Sequence, residues 1–154
     1  MSLGMDGIIA IPRGGQIQAA YDHKEIRNYV IKATSSTPFV ALEVANRTLW
    51  IKGTSQPEDP NSFYEKVDKL LAFYFEIPNR NLTVNFSLDY FNTGSARYLY
   101  LLMAELKELK ENGKSINVNW HYAIEDDDML LSGKNFSSYT QLELKLIPIS
   151  PRTY

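Results

Sequence analysis

Between residues 60 and 122, segments with helical periodicity alternate with segments with strand periodicity. The first amphipathic helix is predicted to begin after Asp59, and its apolar residues recur every three or four positions. The strand 82–88, a second amphipathic helix and the strand 115–122 follow it. A strand–helix–strand order favours parallel strands joined by right-handed crossovers, so the helices are expected to pack on a sheet.

Three short β-rich segments precede this alternation, and they are predicted strands at 29–33, 39–44 and 48–52. The last two flank the short connection 45–47 and are therefore expected to form an antiparallel hairpin. After the alternation, an acidic turn or short helix leads to a last strand or extended tail at 142–149, which is interpreted as a terminal appendage. The fold class predicted from this order is α/β, a single domain with a small mixed β-sheet and helices packed on it.

The chain has 154 residues, the length of one domain, and 44% of them are hydrophobic, which is enough for a core. A single domain is predicted to span residues 29–150. Residues 1–28 lack clear periodicity and are expected to be an N-terminal extension. Within it, Met1–Gly4 precede a second methionine, Met5, and have the form of an expression leader.

Composition excludes several functional classes. The formal net charge of −2 gives no basic field for nucleic acid or for an acidic membrane, and no apolar run approaches the ~20 residues of a membrane span. The absence of cysteine excludes thiolate nucleophiles and Cys-ligated zinc, and it fits the cytoplasm. His23 and His121 lie in no metal-ligand spacing, and no catalytic elbow or phosphate loop accompanies them. We therefore expect a cytoplasmic protein that is not an enzyme and has no cofactor.

The string DYFNTGSAR, residues 89–97, joins a predicted strand to the second helix. The first turn of a helix has unpaired amide hydrogens and a partial positive charge. Asn92 or Thr93 can accept hydrogen bonds from these amides, and Gly94 permits a close backbone approach. The same position would stabilise a phosphate, so the hydroxyls of Thr93 and Ser95 belong either to ordinary capping or to a phosphorylation switch.

Two acidic segments are further candidates for partner contact. Before the first helix, Asp59 is explained as a helix cap, whereas Glu58 is not needed for capping. The spacing of the run 125–128 does not match a calcium loop. A solvated acidic turn therefore competes with a cation site and with a surface that selects a basic partner. The candidate carboxylates of this run are Asp126, Asp127 and Asp128.

Four strings occur in the order TSSTPFVALEV, GTSQPED followed by PNSFYEKV, LDYFNTGSARYLYLL, and VNWHYAIEDDDM. With them, the chain from about Lys32 to Gly133 resembles the SiaC family of bacterial regulatory phosphoproteins. The resemblance implies a fold like that of anti-sigma-factor antagonists (STAS-like). It also implies partner switching, in which a dedicated protein kinase phosphorylates one hydroxyl and a PP2C-type phosphatase removes the phosphate.

The resemblance further implies a target enzyme and a modification site. In the best-known branch of the family the unphosphorylated protein activates a diguanylate cyclase, so this or another target enzyme is the expected partner and cyclic di-GMP signalling the expected output. The phosphorylated threonine of the family matches Thr93, with Asn92 and Ser95 at flanking positions and Ser95 as the back-up acceptor. Gly94 stands where the family usually has serine.

Two other functional classes remain open at this point. One is a small-molecule or nucleotide-binding module that uses the N-terminus of the second helix. The other is a metal-assisted enzyme that uses the acidic run 125–128.

Overall fold

The computed structural model describes residues 9–12 and 27–150, which form a seven-stranded sheet with the strands side by side in chain order. The strands are β1 (Ile9–Pro12), β2 (Arg27–Ile31), β3 (Phe39–Glu43), β4 (Thr48–Ser55), β5 (Asn81–Phe91), β6 (Ser115–Ala123) and β7 (Lys145–Ile149). The helices are α1 (Pro60–Tyr74), α2 (Thr93–Glu111) and α3 (Asp127–Thr140). Neighbouring strands from β1 to β4 are antiparallel, and those from β4 to β7 are parallel.

Each parallel pair of strands is joined by one helix, and the helices pack side by side, α1 on α2 and α2 on α3. Alternate strand residues such as Val84 and Phe86 are fully buried, as are Leu99 and Met103 of α2. Apolar side chains recur every two residues in the strands and every three to four in the helices. These two sets pack against each other between the sheet and the helices. The predicted α/β fold with a mixed sheet is confirmed.

Polar and aromatic side chains of the central strands form a network that includes His121. Its ring stacks on the ring of Trp50 with the centroids 5.3 Å apart. Its Nε2 lies 3.1 Å from Oδ1 of Asn85, which also accepts a hydrogen bond from Nδ2 of Asn119 at 2.9 Å. Burial lowers the pKa of His121, so the neutral ring is favoured. These contacts give His121 a structural role in the sheet.

The predicted last strand at 142–149 is present as β7 (Lys145–Ile149), but its interpretation as a terminal appendage is wrong because it belongs to the sheet. Residues 127–140 form a helix of 14 residues, and β7 pairs in parallel with β6, so this segment adds another strand–helix–strand unit to the sheet. The indole Nε1 of Trp120 donates to the carbonyl oxygen of Met129 at 2.9 Å and ties β6 to α3. Ser132 and Gly133 interrupt the apolar period of α3, and Gly133 lies close to the ring of Trp120.

Residues 9–12, within the predicted N-terminal extension, form β1 and pair antiparallel with β2. Strand β2 begins at Arg27, two residues before the predicted domain start. His23 and the leader-like Met1–Gly4 lie outside the described residues. Within the described part of the chain, no helix combines the length and apolarity that a membrane crossing requires.

Candidate functional site

The three helices begin at one edge of the sheet. Because β4 to β7 are parallel, their carboxyl ends meet there, and each helix starts just after a strand ends. We call this the carboxyl edge. A side chain before each helix caps its first turn. The capping pairs are Asp59 Oδ1 with Ser62 N (3.1 Å), Asn92 Oδ1 with Ser95 N (2.9 Å) and Asp126 Oδ1 with Met129 N (2.9 Å). Three of the sequence-predicted site residues are therefore helix caps at a common edge.

Thr93 is the first residue of α2, and its side chain is exposed. Gly94 follows it and is also exposed. A Cβ atom added at Gly94 would lie 3.6 Å from Oδ1 of Asn92 and 3.9 Å from Cγ of Pro60, which is ordinary contact. The N-terminus of α2 therefore lies beside the first turn of α1. A serine at residue 94 would fit, so lack of space does not explain the glycine.

Ser95 is fully buried, in contrast to Thr93. Its Oγ lies 2.8 Å from Oγ of Ser55, which lies 2.6 Å from the hydroxyl of Tyr64. This chain of hydroxyls joins α2, β4 and α1. Burial raises the pKa of Tyr64, so its hydroxyl keeps its proton and can donate. Of the two candidate acceptor hydroxyls, only that of Thr93 is accessible in the folded protein.

The acidic candidates lie at the same edge with different roles. Glu58 is exposed in the loop before α1. Asp127 and Asp128 are exposed in the first turn of α3, where the helix dipole favours negative charge. Asp126 is half-buried and is used as the cap. Among the described residues, no three His, Asp or Glu side chains are placed to hold a metal ion together. The acidic run therefore starts a helix and leaves three carboxylates exposed to solvent, those of Glu125, Asp127 and Asp128.

Large exposed side chains continue from Thr93 along α2, and the sequence reasoning missed them. Arg97 is exposed, Tyr100 is 40% exposed and Leu101 is 48% exposed. Positions 93, 97, 100 and 101 follow helical spacing and share one face. We call Thr93, Arg97, Tyr100 and Leu101 the α2 surface. The string YLYLL, residues 98–102, indicates this surface, because it has more large apolar side chains than one buried face of a helix can hold.

A groove of about 150 Å³ between α1 and α2 adjoins this surface. Inside it, the rings of Tyr64 and Tyr98 stack with their centroids 6.0 Å apart. The carboxyls of Asp68 and Glu105 share a hydrogen bond. Desolvation, then the hydrogen bond and charge of Asp68, raise the pKa of Glu105 to about 7. Desolvation also raises the pKa of Asp68. The pair is therefore most stable when one carboxyl is protonated and donates a hydrogen bond to the other.

A protein-family model covers most of the residues that form the sheet and all three helices. The model of the family described as SiaC family regulatory phosphoprotein matches residues 31–149. The chain belongs to the SiaC family. The resemblance noted from the sequence is thereby confirmed, and the matched range includes the α2 surface, the groove and all three helix caps.

Relatives and solved structures agree with this assignment. An uncharacterized protein of Pseudomonas aeruginosa strain UCBPP-PA14 is 26% identical over 92 residues, which cover 60% of this chain and 73% of that protein. The crystal structure of apo-SiaC from P. aeruginosa is similar with a TM-score of 0.70 and 21% identity, over 78% of this chain and 98% of that chain. The structure of the diguanylate cyclase SiaD in complex with its activator SiaC, also from P. aeruginosa, gives a TM-score of 0.72 at 21% identity, with the same coverage. At this identity the two structures establish the shared fold.

Proposed function

We propose that the protein is a cytoplasmic, non-enzymatic regulator that binds a target enzyme through the α2 surface and is switched by phosphorylation of Thr93. The observation that carries the proposal is the placement of Thr93. It is an exposed hydroxyl at the first position of α2, on the same face as exposed Tyr100 and Leu101. The chain also belongs to a family of regulatory phosphoproteins.

The α2 surface has the chemistry of a protein interface. Tyrosine, arginine and leucine side chains supply area and hydrogen bonds there, and aromatic residues and arginine are enriched at interfaces. The exposed carboxylates at the carboxyl edge, Glu58, Asp127 and Asp128, extend this surface towards α1 and α3. We propose that they contact basic side chains of the partner at the rim, where charge selects the partner more than it adds affinity.

Phosphorylation of Thr93 would add a large negative charge to the α2 surface. A phosphothreonine carries about −1.5 to −2 charges at neutral pH. In the free protein, the positive end of α2 stabilises that charge. In a complex, the phosphate would lose hydration under the partner, and the single positive charge of Arg97, one turn along the same face, does not neutralise a dianion. The modification therefore favours the free state, and the unmodified protein is the binding form.

The proposed partners follow from the family. SiaC of P. aeruginosa is named as the activator of the diguanylate cyclase SiaD. We therefore propose a diguanylate cyclase as the target enzyme and cyclic di-GMP as the output. A protein kinase and a PP2C-type phosphatase would set the phosphorylation state of Thr93.

The test compares wild type with Thr93→Ala and Thr93→Asp in affinity purifications from the source organism. Bound cyclase is identified by mass spectrometry and assayed for conversion of GTP to cyclic di-GMP. Wild type and Thr93→Ala should retain the cyclase, and Thr93→Asp should weaken binding about tenfold, because a loss of ~1.4 kcal/mol corresponds to that factor.

A matched control is Ser138→Asp, which adds the same charge at an exposed hydroxyl near the opposite end of α3. It should bind like wild type. Equal binding by all four proteins would refute the switch at Thr93. Stable binding to a target other than a diguanylate cyclase, with the same dependence on residue 93, would refute only the choice of partner.

A further inference from the structure

The edge of the sheet opposite Thr93, where the parallel strands begin, contains a basic cleft of about 550 Å³. Three turns enclose it: the connection between β3 and β4, the loop before β5 and the loop before β6. Their cationic side chains are those of Arg47, Arg80 and Lys114. No carboxylate of the described residues lines the cleft. In a chain with a formal net charge of −2, this is a concentrated positive site.

The cations of the cleft are held in place by neighbouring groups. Nη1 of Arg47 donates to Oδ1 of Asn81 at 2.7 Å, which leaves further N–H groups of the same guanidinium for a ligand. The backbone of Arg47 is also fixed, because its φ angle is 59° and its carbonyl oxygen accepts from the amide of Thr83 at 2.9 Å. Nζ of Lys114 lies 5.7 Å from the centre of the Phe75 ring. Side chains that are already ordered lose less entropy when a ligand binds.

Arg47 and Arg80 line the same cleft, and the charges of both act on Tyr74. Burial raises the pKa of Tyr74, and the charges of Arg80 and Arg47 oppose that rise. Both arginines line the cleft, and the Tyr74 hydroxyl donates to the carbonyl oxygen of Asn81 in its wall. A guanidinium group is a forked donor that matches the oxygens of a phosphate group, and two such groups line this cleft.

We propose that the cleft formed by Arg47, Arg80 and Lys114 binds the phosphate groups of a small molecule that carries at least two negative charges. Its volume of about 550 Å³ lies in the ~300–1,000 Å³ range of small-molecule sites. The site is separate from the α2 surface, because it lies at the amino ends of the strands whose carboxyl ends lead to the helix caps. It therefore does not depend on the function proposed for Thr93.

Two sources of the phosphate groups are possible, and the probes distinguish them. Inorganic pyrophosphate, GTP and guanosine are titrated into the full-length protein, and binding is followed by calorimetry and by amide NMR shifts. Pyrophosphate and GTP of equal affinity would identify the phosphate groups as the recognised part. A tenfold preference for GTP would identify a nucleotide. Guanosine, which has no phosphate, should not bind.

Variants at the cleft decide whether binding occurs there. Arg80→Gln and Lys114→Gln should each weaken pyrophosphate binding about tenfold, the equivalent of one lost charge-assisted contact. Lys110→Gln removes the same charge from an exposed position in α2 and should bind like wild type. Absence of binding by both phosphate probes to wild type would overturn the proposal. An equal loss in Lys110→Gln would also overturn it, because the attraction would then belong to the general charge of the surface.

Discussion

At the scale of single residues, two glycines illustrate how local space decides the effect of a side chain. A Cβ atom on Gly133 of α3 would lie 2.5 Å from Cδ1 of Trp120 and 2.9 Å from Cδ2 of Leu146. Trp120 is fully buried, so its ring has little freedom to move away. At Gly94 the same atom would make ordinary contacts of 3.6 Å or more, in a helical backbone exposed to solvent.

We expect Gly133→Ala to lower the free energy of unfolding by about 1–3 kcal/mol, because an extra carbon in a packed site forces a shift. Gly94→Ala is the matched control and should raise it by about 0.5–1 kcal/mol, since alanine is the better helix former. Urea denaturation of both variants measures the difference. Effects of the same sign would contradict the close approach between α3 and β6.

A second residue-scale prediction concerns the buried serine. Ser95→Ala removes one hydroxyl from the chain of Ser55, Ser95 and Tyr64. We expect a loss of about 1 kcal/mol in the free energy of unfolding, because Ser55 and Tyr64 keep their mutual hydrogen bond. Phosphopeptide mass spectrometry of the variant from cells should still find phosphate on Thr93. Phosphate on Ser95 in the wild-type protein would show that this region opens to the kinase.

At the scale of elements, the carboxyl pair between α1 and α2 makes their contact dependent on pH. The pKa of Glu105 rises from 4.5 to about 7 on folding, mainly by desolvation. The folded state therefore binds a proton more tightly than the unfolded state. The resulting stability is fully present below pH 4.5 and is lost as the pH rises through about 7. Asp68 contributes in the same direction, because desolvation raises its pKa too.

We expect Glu105→Gln to raise the melting temperature at pH 8 by about 2 °C and to reduce the fall in stability between pH 5 and pH 8. The effect is small because Glu105 is only half-buried and solvent screens the charges. The control is Glu111→Gln, which removes an exposed carboxylate of the same helix and should leave that slope unchanged. An unchanged slope in Glu105→Gln would show that the pair does not titrate near neutral pH.

Helix boundaries were largely predictable from the sequence. Asp59 before a proline and Asn92 before a small-residue turn are local capping signals, and both residues accept the hydrogen bonds expected of caps. Strand ends were less accurate. Strand β5 extends to Phe91, three residues beyond its alternating pattern, because its neighbour β4 also continues and pairs with it.

At the scale of the whole molecule, the parallel strands separate two edges with different chemistry. The carboxyl edge presents Thr93 and exposed carboxylates, whereas the amino edge presents the basic cleft. Strand β5, with 11 residues, spans about 30 Å between them. Effects at sites this far apart usually add without interaction.

We therefore expect Thr93→Asp to leave pyrophosphate affinity within about twofold of wild type, because distant sites without shared contacts are independent. Likewise, Lys114→Gln should not alter retention of the target enzyme. Calorimetry and affinity purification on the two variants measure these effects. A change larger than tenfold in either experiment would indicate that the two edges are coupled through the sheet.

The sequence by itself determined the elements that depend on near neighbours in the chain. Apolar periodicity located α1, α2 and most strands, and the cap residues placed Thr93 at the start of a helix. Such signals are local, because a helix turn or a strand pleat involves side chains only a few positions apart.

Only the tertiary structure decided which of those residues are accessible and which distant groups meet. It buried Ser95 against Ser55, 40 positions away, and left Thr93 exposed. It also paired Asp68 with Glu105 and assembled the cleft around Arg47 and Lys114 from separate turns. Periodicity shows that residues share a face of one element, but burial and charge pairing depend on which other element packs against that face.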